Sequence, residues 1–155
     1  MLLAGFIPNQ ARSLTLEELP ELERQAYQQQ LNQWQREYQE EQDKQKKIAE
    51  LTEKANQLKG KYGGTCVKFA QNFLGVTNTR WTTDGFARTI EDNTSTPVIG
   101  AVVLTRESGY GHAAVLISVT ETTITFVESN YIRNTIGIRT LSIRDKRIKG
   151  YKIIY

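Results

Sequence analysis

Polar and apolar positions divide the chain into two parts with different periodicities. From residue 15 to 59, Glu, Gln, Lys and Leu dominate and the apolar side chains recur in steps of three and four. This spacing is typical of an amphipathic helix. After residue 96, short runs rich in Val, Ile and Thr are separated by turn residues, which is the pattern of β-strands. The chain is therefore predicted to be helical first and β afterwards.

The helical part carries recognisable start signals. Thr15 followed by Glu18 has the form of a capping box, whereas Pro20 fits an early helical turn but not a helix interior. From there the helix is predicted to run without interruption to Lys59. At about 1.5 Å per residue, a helix of about forty residues reaches roughly 60 Å, which is longer than a compact domain of this size is wide.

An apolar stripe follows one face of this predicted helix. Its members are Tyr27, Leu31, Trp34, Tyr38, Ile48, Leu51, Ala55 and Leu58. The stripe resembles a heptad seam, but Glu41 and Gln45 interrupt it midway. Two interpretations stay open: a coiled coil that dimerises or docks on a partner, and an amphipathic helix that folds back on its own domain.

A second, shorter helix is predicted after a glycine turn. Gly63, Gly64 and the capping residue Thr65 precede a run with helical spacing that starts at Cys66 and ends at Gly75. Cys66 then lies in the first helical turn, where the helix dipole favours a thiolate. Backbone N–H groups at the same helix end are free to receive an oxyanion.

The β part contains five predicted strands with short connections. They cover residues 97–104, 112–119, 122–127, 135–143 and 148–155. Short connections between successive strands indicate an antiparallel sheet. A helix followed by such strands predicts an α+β domain at 60–155, preceded by a helical arm at 1–59.

The chain has one cysteine and one histidine, and their positions suit a thiol hydrolase. A cysteine nucleophile needs a base, and His112, which opens a predicted strand, carries the only imidazole. Glu128 and Asn130 are two residues apart on a strand, so the alternation rule places them on one face, from which they could orient His112. Each residue alone has a commoner structural interpretation, and only the combination favours catalysis.

Composition narrows the classes of partner. The formal net charge is +3, and the first 59 residues are slightly acidic whereas the remainder is basic. The basic part could bind an anionic polymer such as cell wall or nucleic acid, or it could be an ordinary basic surface. No nucleic-acid-binding motif accompanies the late basic run at 139–152, so we expect no nucleic-acid partner. No apolar run approaches about 18 residues, which predicts no membrane span. The first eight residues lack the basic lead and the length of a complete signal peptide.

Five segments in order resemble the CHAP family of cysteine, histidine-dependent amidohydrolases and peptidases, a papain-like group abundant in peptidoglycan-cleaving enzymes of bacteria and phages. They are GTCVKFA at 64–70, PVIGAVV at 97–103, GHAAV at 111–115, VESNY at 127–131 and KGY at 149–151. No single segment is specific, but the ordered set is. The resemblance spans essentially all of 60–155 and implies a papain-like fold with the nucleophile on a helix and an antiparallel sheet.

The resemblance also implies roles for individual residues. Cys66 matches the family nucleophile, His112 the general base, Glu128 the residue that orients the histidine and Asn130 a further polar member of the site. The implied reaction is attack on an amide carbonyl, followed by hydrolysis of an acyl-enzyme. The implied substrate is peptidoglycan, cut either as an N-acetylmuramoyl-L-alanine amidase or as an endopeptidase. Such a protein acts at the cell wall, either secreted or delivered by a phage, as endolysins are.

Some positions depart from the family pattern. Ala101 stands where members often carry an acidic residue, and the stretch 57–62 has no carboxylates for the calcium loop that some members carry. We therefore expect no metal and no cofactor. Gly60 replaces the oxyanion glutamine of papain-type enzymes, and Tyr62 is a candidate substitute donor. Two other functions stay open: a non-catalytic binding or structural module that assembles through the arm, and an amidase or peptidase with a substrate outside the wall.

Overall fold

The described part of the chain contains two helices and five strands. The computed structural model describes residues 20–76, 87, 90–107 and 109–154. The predicted capping box at Thr15 and Glu18, and the loop around Trp81, lie outside these residues. Within them, neither helix combines the length and the apolar character that crossing a membrane requires.

Helix α1 runs from Glu21 to Leu58, so the predicted long helix is present. It starts directly after Pro20, whose carbonyl accepts the N–H of Arg24 at 3.0 Å. The chain divides into two compact units, 1–43 and 44–155, and this division falls inside α1. In the first unit the aromatic members of the stripe are exposed, as the 60% exposure of Trp34 illustrates. The coiled coil therefore stays a prediction.

The last turns of α1 belong to the compact β-containing unit. Ala55 is fully buried in its core, and Leu51 and Leu58 are partly buried against the same cluster. This end of the stripe follows the fold-back interpretation. The compact unit thus begins earlier along the chain than residue 60, where the composition changes.

Helix α2 runs from Cys66 to Leu74, as its apolar spacing predicts. Its buried face consists of Val67, Phe69, Ala70 and Phe73. Gly75 ends the helix with φ 72°, a left-handed conformation that glycine adopts without steric cost. Thr65 occupies the N-cap position, but its side chain makes no capping hydrogen bond. Thr65 therefore has the predicted cap position but does not cap the helix with its side chain.

The five strands form one antiparallel sheet. They are β1 (Val102–Thr105), β2 (His112–Val119), β3 (Thr123–Ile132), β4 (Thr135–Ser142) and β5 (Ile148–Lys152). Their order across the sheet is β4-β3-β2-β1-β5, which confirms the predicted α+β class. The first strand starts later than predicted, because a turn with Gly100 at φ 84° precedes it.

Both faces of the sheet are apolar. Strand alternation sends Ala113, Val115 and Val127 into the cluster that contains α2 and the end of α1, and sends Leu116 and Phe126 to the opposite face. The central strand β2 is buried along most of its length. Such burial on both faces explains why its sequence is a continuous apolar run rather than an alternating one.

The segment between the helices is attached to the edge strand β4. The N–H of Gly60 donates to the carbonyl of Ile136 at 2.9 Å, and the N–H of Ile136 donates back to Lys61 at 2.9 Å. The N–H of Gly63 donates to Asn134 at 2.8 Å. These backbone bonds fix the path of the chain immediately before α2 begins.

We predict that Gly63→Ala destabilises the fold. A Cβ at this position would lie 2.5 Å from Ile136 Cγ1 and 2.7 Å from Ser129 Cβ, closer than carbon atoms approach. The free energy of unfolding should fall by about 1–3 kcal/mol, the usual effect of overpacking. Denaturant unfolding measures this as a lower midpoint at unchanged slope.

Gly137→Ala is the matched control. Its added Cβ would meet no atom within 4 Å, so the unfolding midpoint should stay close to that of the parent chain. Equal midpoints for the two variants would contradict the close packing of Gly63.

Candidate active site

The structure brings Cys66 and His112 together. Cys66 is the first residue of α2 and His112 the first residue of β2, and α2 packs against β2. Their side chains form a hydrogen bond, and the cysteine is a free thiol. The backbone N–H groups of Ala113 and Val67 also point at the sulfur. The predicted nucleophile and the predicted base are thus direct neighbours.

The surroundings of Cys66 favour its thiolate. Burial by itself raises the pKa of the thiol, because it removes water from the charged form. The hydrogen bond and the positive charge of His112, together with two backbone N–H groups, outweigh burial and lower the pKa below its ordinary value of 9.0. A thiolate is the reactive form of cysteine.

Glu128 holds the other side of the imidazole. His112 Nε2 lies 2.8 Å from Glu128 Oε2, which leaves Nδ1 as the nitrogen that serves Cys66. Glu128 is only 3% exposed and His112 only 7%. Glu128 pairs with Ala114 across β2 and β3, and Ala114 is two residues from His112, so all three share a face.

The same contacts stabilise a protonated imidazole. Burial lowers the pKa of His112, but the hydrogen bonds to Cys66 and Glu128 and the negative charges of both groups raise it to about 9. A thiolate and an imidazolium therefore coexist over the pH range between the lowered pKa of Cys66 and about 9. This ion pair is the reactive state of cysteine hydrolases.

Asn130 does not join this group. It is exposed, has φ 70°, and its Oδ1 accepts the N–H of Asn134 at 3.0 Å. The pairing of β3 with β4 shifts register between Ser129 and Ile132, so strand alternation is interrupted at Asn130. The expectation that Asn130 and Glu128 share a face assumes uninterrupted alternation, which β3 does not keep at this point. A catalytic role for Asn130 stays a prediction.

Ser129 is a neighbour of the site that the sequence pattern did not single out. Its side chain is fully buried, and its Oγ donates to the carbonyl of Gly64 at 2.8 Å. This bond ties β3 to the loop two residues before Cys66. The only signal in the sequence was a serine next to Glu128, the predicted orienting residue. A serine at this position does not reveal that its hydrogen-bond partner lies 65 positions away.

Arg139 was also missed, because it appeared as one member of a basic run. It is half-buried on β4 and donates to Glu128 Oε2 at 2.9 Å, behind the histidine. An arginine within an otherwise strand-forming segment was the available signal. Arg139 reaches the buried carboxylate of Glu128 because β3 pairs with β4 in one particular register. The sequence alone does not specify that register.

Tyr131 is the aromatic side chain next to His112. The ring of Tyr131 meets His112 edge-on, with 6.2 Å between centroids, and Tyr131 is half-exposed at the surface. Tyr62, the candidate oxyanion donor, is largely exposed. Among the residues that the structure describes, no three His, Cys, Asp or Glu side chains are grouped so that they could hold a metal ion.

The region that contains the site matches a known protein family. Residues 54–130 match the family model of the CHAP domain. This stretch belongs to the CHAP domain family. It starts inside α1 and ends at Asn130, so it contains Cys66, His112 and Glu128 but neither β4 nor β5. CHAP domains are in general hydrolases of the amidase or peptidase type that act on cell walls.

Solved structures support the fold. The structure titled "The crystal structure of Ly7917" is similar to this chain, with a TM-score of 0.52 and 18% sequence identity. The similarity covers 67% of this chain and 60% of that one, so the chain spans less than two thirds of the length of that structure. No curated protein matches the sequence significantly.

We predict that Cys66 reacts with iodoacetamide faster than a free cysteine at neutral pH. The lowered pKa means that the thiolate forms at lower pH, so the alkylation rate should rise earlier on the pH axis than it does for N-acetylcysteine. The reaction is quenched at intervals and the extent of alkylation is read from the intact mass. This mass reports Cys66 alone, since the chain has one cysteine.

His112→Ala is the informative control. It removes the largest pKa-lowering contacts of Cys66, so the rate profile should move to higher pH. A parent profile that coincides with that of N-acetylcysteine would contradict the ion pair.

Proposed function

We propose that the CHAP domain hydrolyses an amide bond of peptidoglycan, with Cys66 as nucleophile and His112 as general base and acid. The observation that carries this proposal is the continuous line of hydrogen bonds from Cys66 through His112 to the buried carboxylate of Glu128. Nucleophile, base and orienting group in this order are the working parts of cysteine hydrolases. The family match supports the cell wall as the substrate class.

The proposed reaction has two steps. The Cys66 thiolate attacks the amide carbonyl, the S–C bond forms, and the C–N bond breaks as the His112 imidazolium gives its proton to the leaving amine. A water molecule then attacks the acyl-enzyme, His112 takes its proton, and the thiolate leaves with release of the acid. Both steps pass through a tetrahedral oxyanion.

The start of α2 supplies the groups that could stabilise this oxyanion. The first N–H groups of a helix have no intrahelical acceptor, and the side chain of Thr65 does not cap them. The helix dipole adds positive potential at the same end. This support is independent of Tyr62 and of the glutamine that Gly60 replaces.

The alternatives differ in what they require of these residues. A module that only binds would bury the charged pair of His112 and Glu128 without using it, and buried charges cost free energy. This argues for catalysis. An amidase or peptidase with a substrate outside the wall requires the same site, and only the substrate separates it from the favoured function.

The decisive experiment compares the parent chain with Cys66→Ala on purified peptidoglycan of two chemotypes. We expect new amino termini, identified by mass spectrometry, from the parent chain only. A terminal L-alanine would identify the muramoyl-L-alanine amidase, and any other terminus would identify an endopeptidase.

Two outcomes would count against the proposal. Equal product from both proteins would exclude Cys66 as the nucleophile. Binding to the wall by both proteins without any release would favour the binding module, and cleavage of other amide substrates alone would favour the third function.

We also propose that the part of α1 that lies in the first compact unit mediates self-association or docking on a partner. The support is the exposure of aromatic side chains at helical spacing: Tyr27, Trp34 and Tyr38 are each about half-exposed or more, and the rings of Trp34 and Tyr38 stack at 5.7 Å. Exposed aromatic stripes commonly mark interaction surfaces.

The full chain with Trp34→Ala and Tyr38→Ala tests this proposal. We expect the sedimentation coefficient to shift toward the monomer, because the substitutions remove the apolar anchors of the surface. Gln35→Ala, on the same helix, should leave it unchanged. Identical oligomeric state and wall activity in all three proteins would exclude self-association through this stripe.

A further inference from the structure

A line of buried charges continues behind the catalytic histidine. The carboxylate of Glu128 contacts His112 through Oε2, and the same oxygen accepts a hydrogen bond from Arg139 Nη2 at 2.9 Å. Arg139 Nε lies 2.9 Å from Glu128 Oε1, close enough for an ion pair although not aligned as a hydrogen bond. Both oxygens of the orienting carboxylate are thus in contact with one guanidinium.

A second carboxylate holds this guanidinium from the other side. Arg139 Nη1 donates to Glu107 Oε1 at 2.7 Å, and Nη2 donates to Glu107 Oε2 at 2.9 Å. This is a bidentate fork, the geometry that arginine forms with carboxylates and lysine cannot reproduce. Glu107 is itself nearly buried, so the fork is shielded from solvent. Its contacts raise the pKa of Arg139 despite partial burial, which keeps the group charged.

Arg139 also packs against a second neighbour of the histidine. Its guanidinium lies 3.9 Å from the ring centroid of Tyr131, whose edge faces His112, and 5.0 Å from that of Phe126. A single side chain therefore contacts two of the groups that surround the imidazole. No other cation of the described residues lies within ion-pair distance of Glu128 apart from His112.

The charges explain why this contact matters. Glu107 and Glu128 are two buried carboxylates that share one arginine, and without it they would repel each other in a medium that screens poorly. Glu128 would then turn away from His112, and the imidazolium would lose its acceptor on Nε2.

We propose that Arg139, held by Glu107, is a positioning residue that keeps the carboxylate of Glu128 aligned with His112 Nε2. The proposal rests on the proposed cysteine hydrolase function. It goes beyond the family match, because that match ends at Asn130 and does not reach β4. Arg139 acts on His112 through Glu128.

The groups that face His112 come from three elements. Cys66 lies on α2, Glu128 and Tyr131 lie on β3, and Arg139 on β4 stands behind Glu128. Further out, Arg147 Nη1 lies 3.6 Å from Glu107 and pairs with Asp145. Removing the charge of Arg139 alone would stabilise the imidazolium, since one nearby cation is lost. Loss of alignment of Glu128 would destabilise it, so the two explanations predict opposite shifts.

The test uses Arg139→Lys and Arg139→Met in the full chain, with two measurements. NMR titration of the imidazole is unambiguous because the chain has one histidine. We expect the pKa of His112 to fall from about 9 toward 6.5 in both variants. The kcat on peptidoglycan should fall about 10- to 100-fold with little change in KM, as for other residues that orient a catalytic ligand.

Arg139→Lys is the sharper variant because it keeps the positive charge and removes only the fork. Glu107→Gln, which weakens the fork from its far side, should give a smaller loss of kcat. Arg147→Met is the matched control: it removes an exposed arginine that also touches Glu107, and it should leave both measurements close to the parent values.

Several outcomes would overturn the inference. A pKa of His112 that rises or stays the same in Arg139→Lys would exclude a positioning role. A lower melting temperature with unchanged kcat and His112 pKa would make Arg139 merely structural. If the parent chain cleaves no substrate but the pKa still falls in Arg139→Lys, the positioning role stands and the proposed function fails.

Discussion

The hydrogen bond between the Cys66 thiol and the His112 imidazole is the interaction on which the rest of the site depends. His112 is buried and Cys66 is partly buried, and burial opposes the charged form of each. The charges persist because each stabilises the other, and because Glu128 and two backbone N–H groups add to them. The ion pair is therefore a property of the folded arrangement, since neither residue would be charged in this way in an unfolded chain at neutral pH.

The fold provides this arrangement by bringing the beginning of a helix to the beginning of a strand. Backbone bonds from the 60–63 segment to β4, and the Ser129 hydroxyl on the Gly64 carbonyl, fix the loop that carries Cys66. The antiparallel pairing of β2 with β3 then places Glu128 beside His112. Because all of these contacts are made by the sheet or its edge, sheet formation and site formation are coupled.

The chain combines a stretch that matches the CHAP family with features outside that stretch. The long helix exposes aromatic side chains in its first unit and contributes Ala55 to the core of the second, so a single helix serves two compact units. Beyond the match, β4 contributes Arg139 to the charges behind His112. The proposed interaction surface and the proposed positioning residue thus lie on either side of the matched stretch.

Local pattern by itself determined the long helix, the helix from Cys66 to Gly75, the approximate positions of five strands and the α+β class, because helical and strand periodicities are encoded by neighbouring residues. The order of cysteine, histidine and glutamate along the chain was likewise enough to predict a common site. Tertiary structure decided the rest: it broke strand alternation at Asn130 and brought Ser129 and Arg139 to the site. These last contacts join residues that are distant along the chain, and they depend on strand register and on the balance of buried charges, neither of which is a property of any local segment.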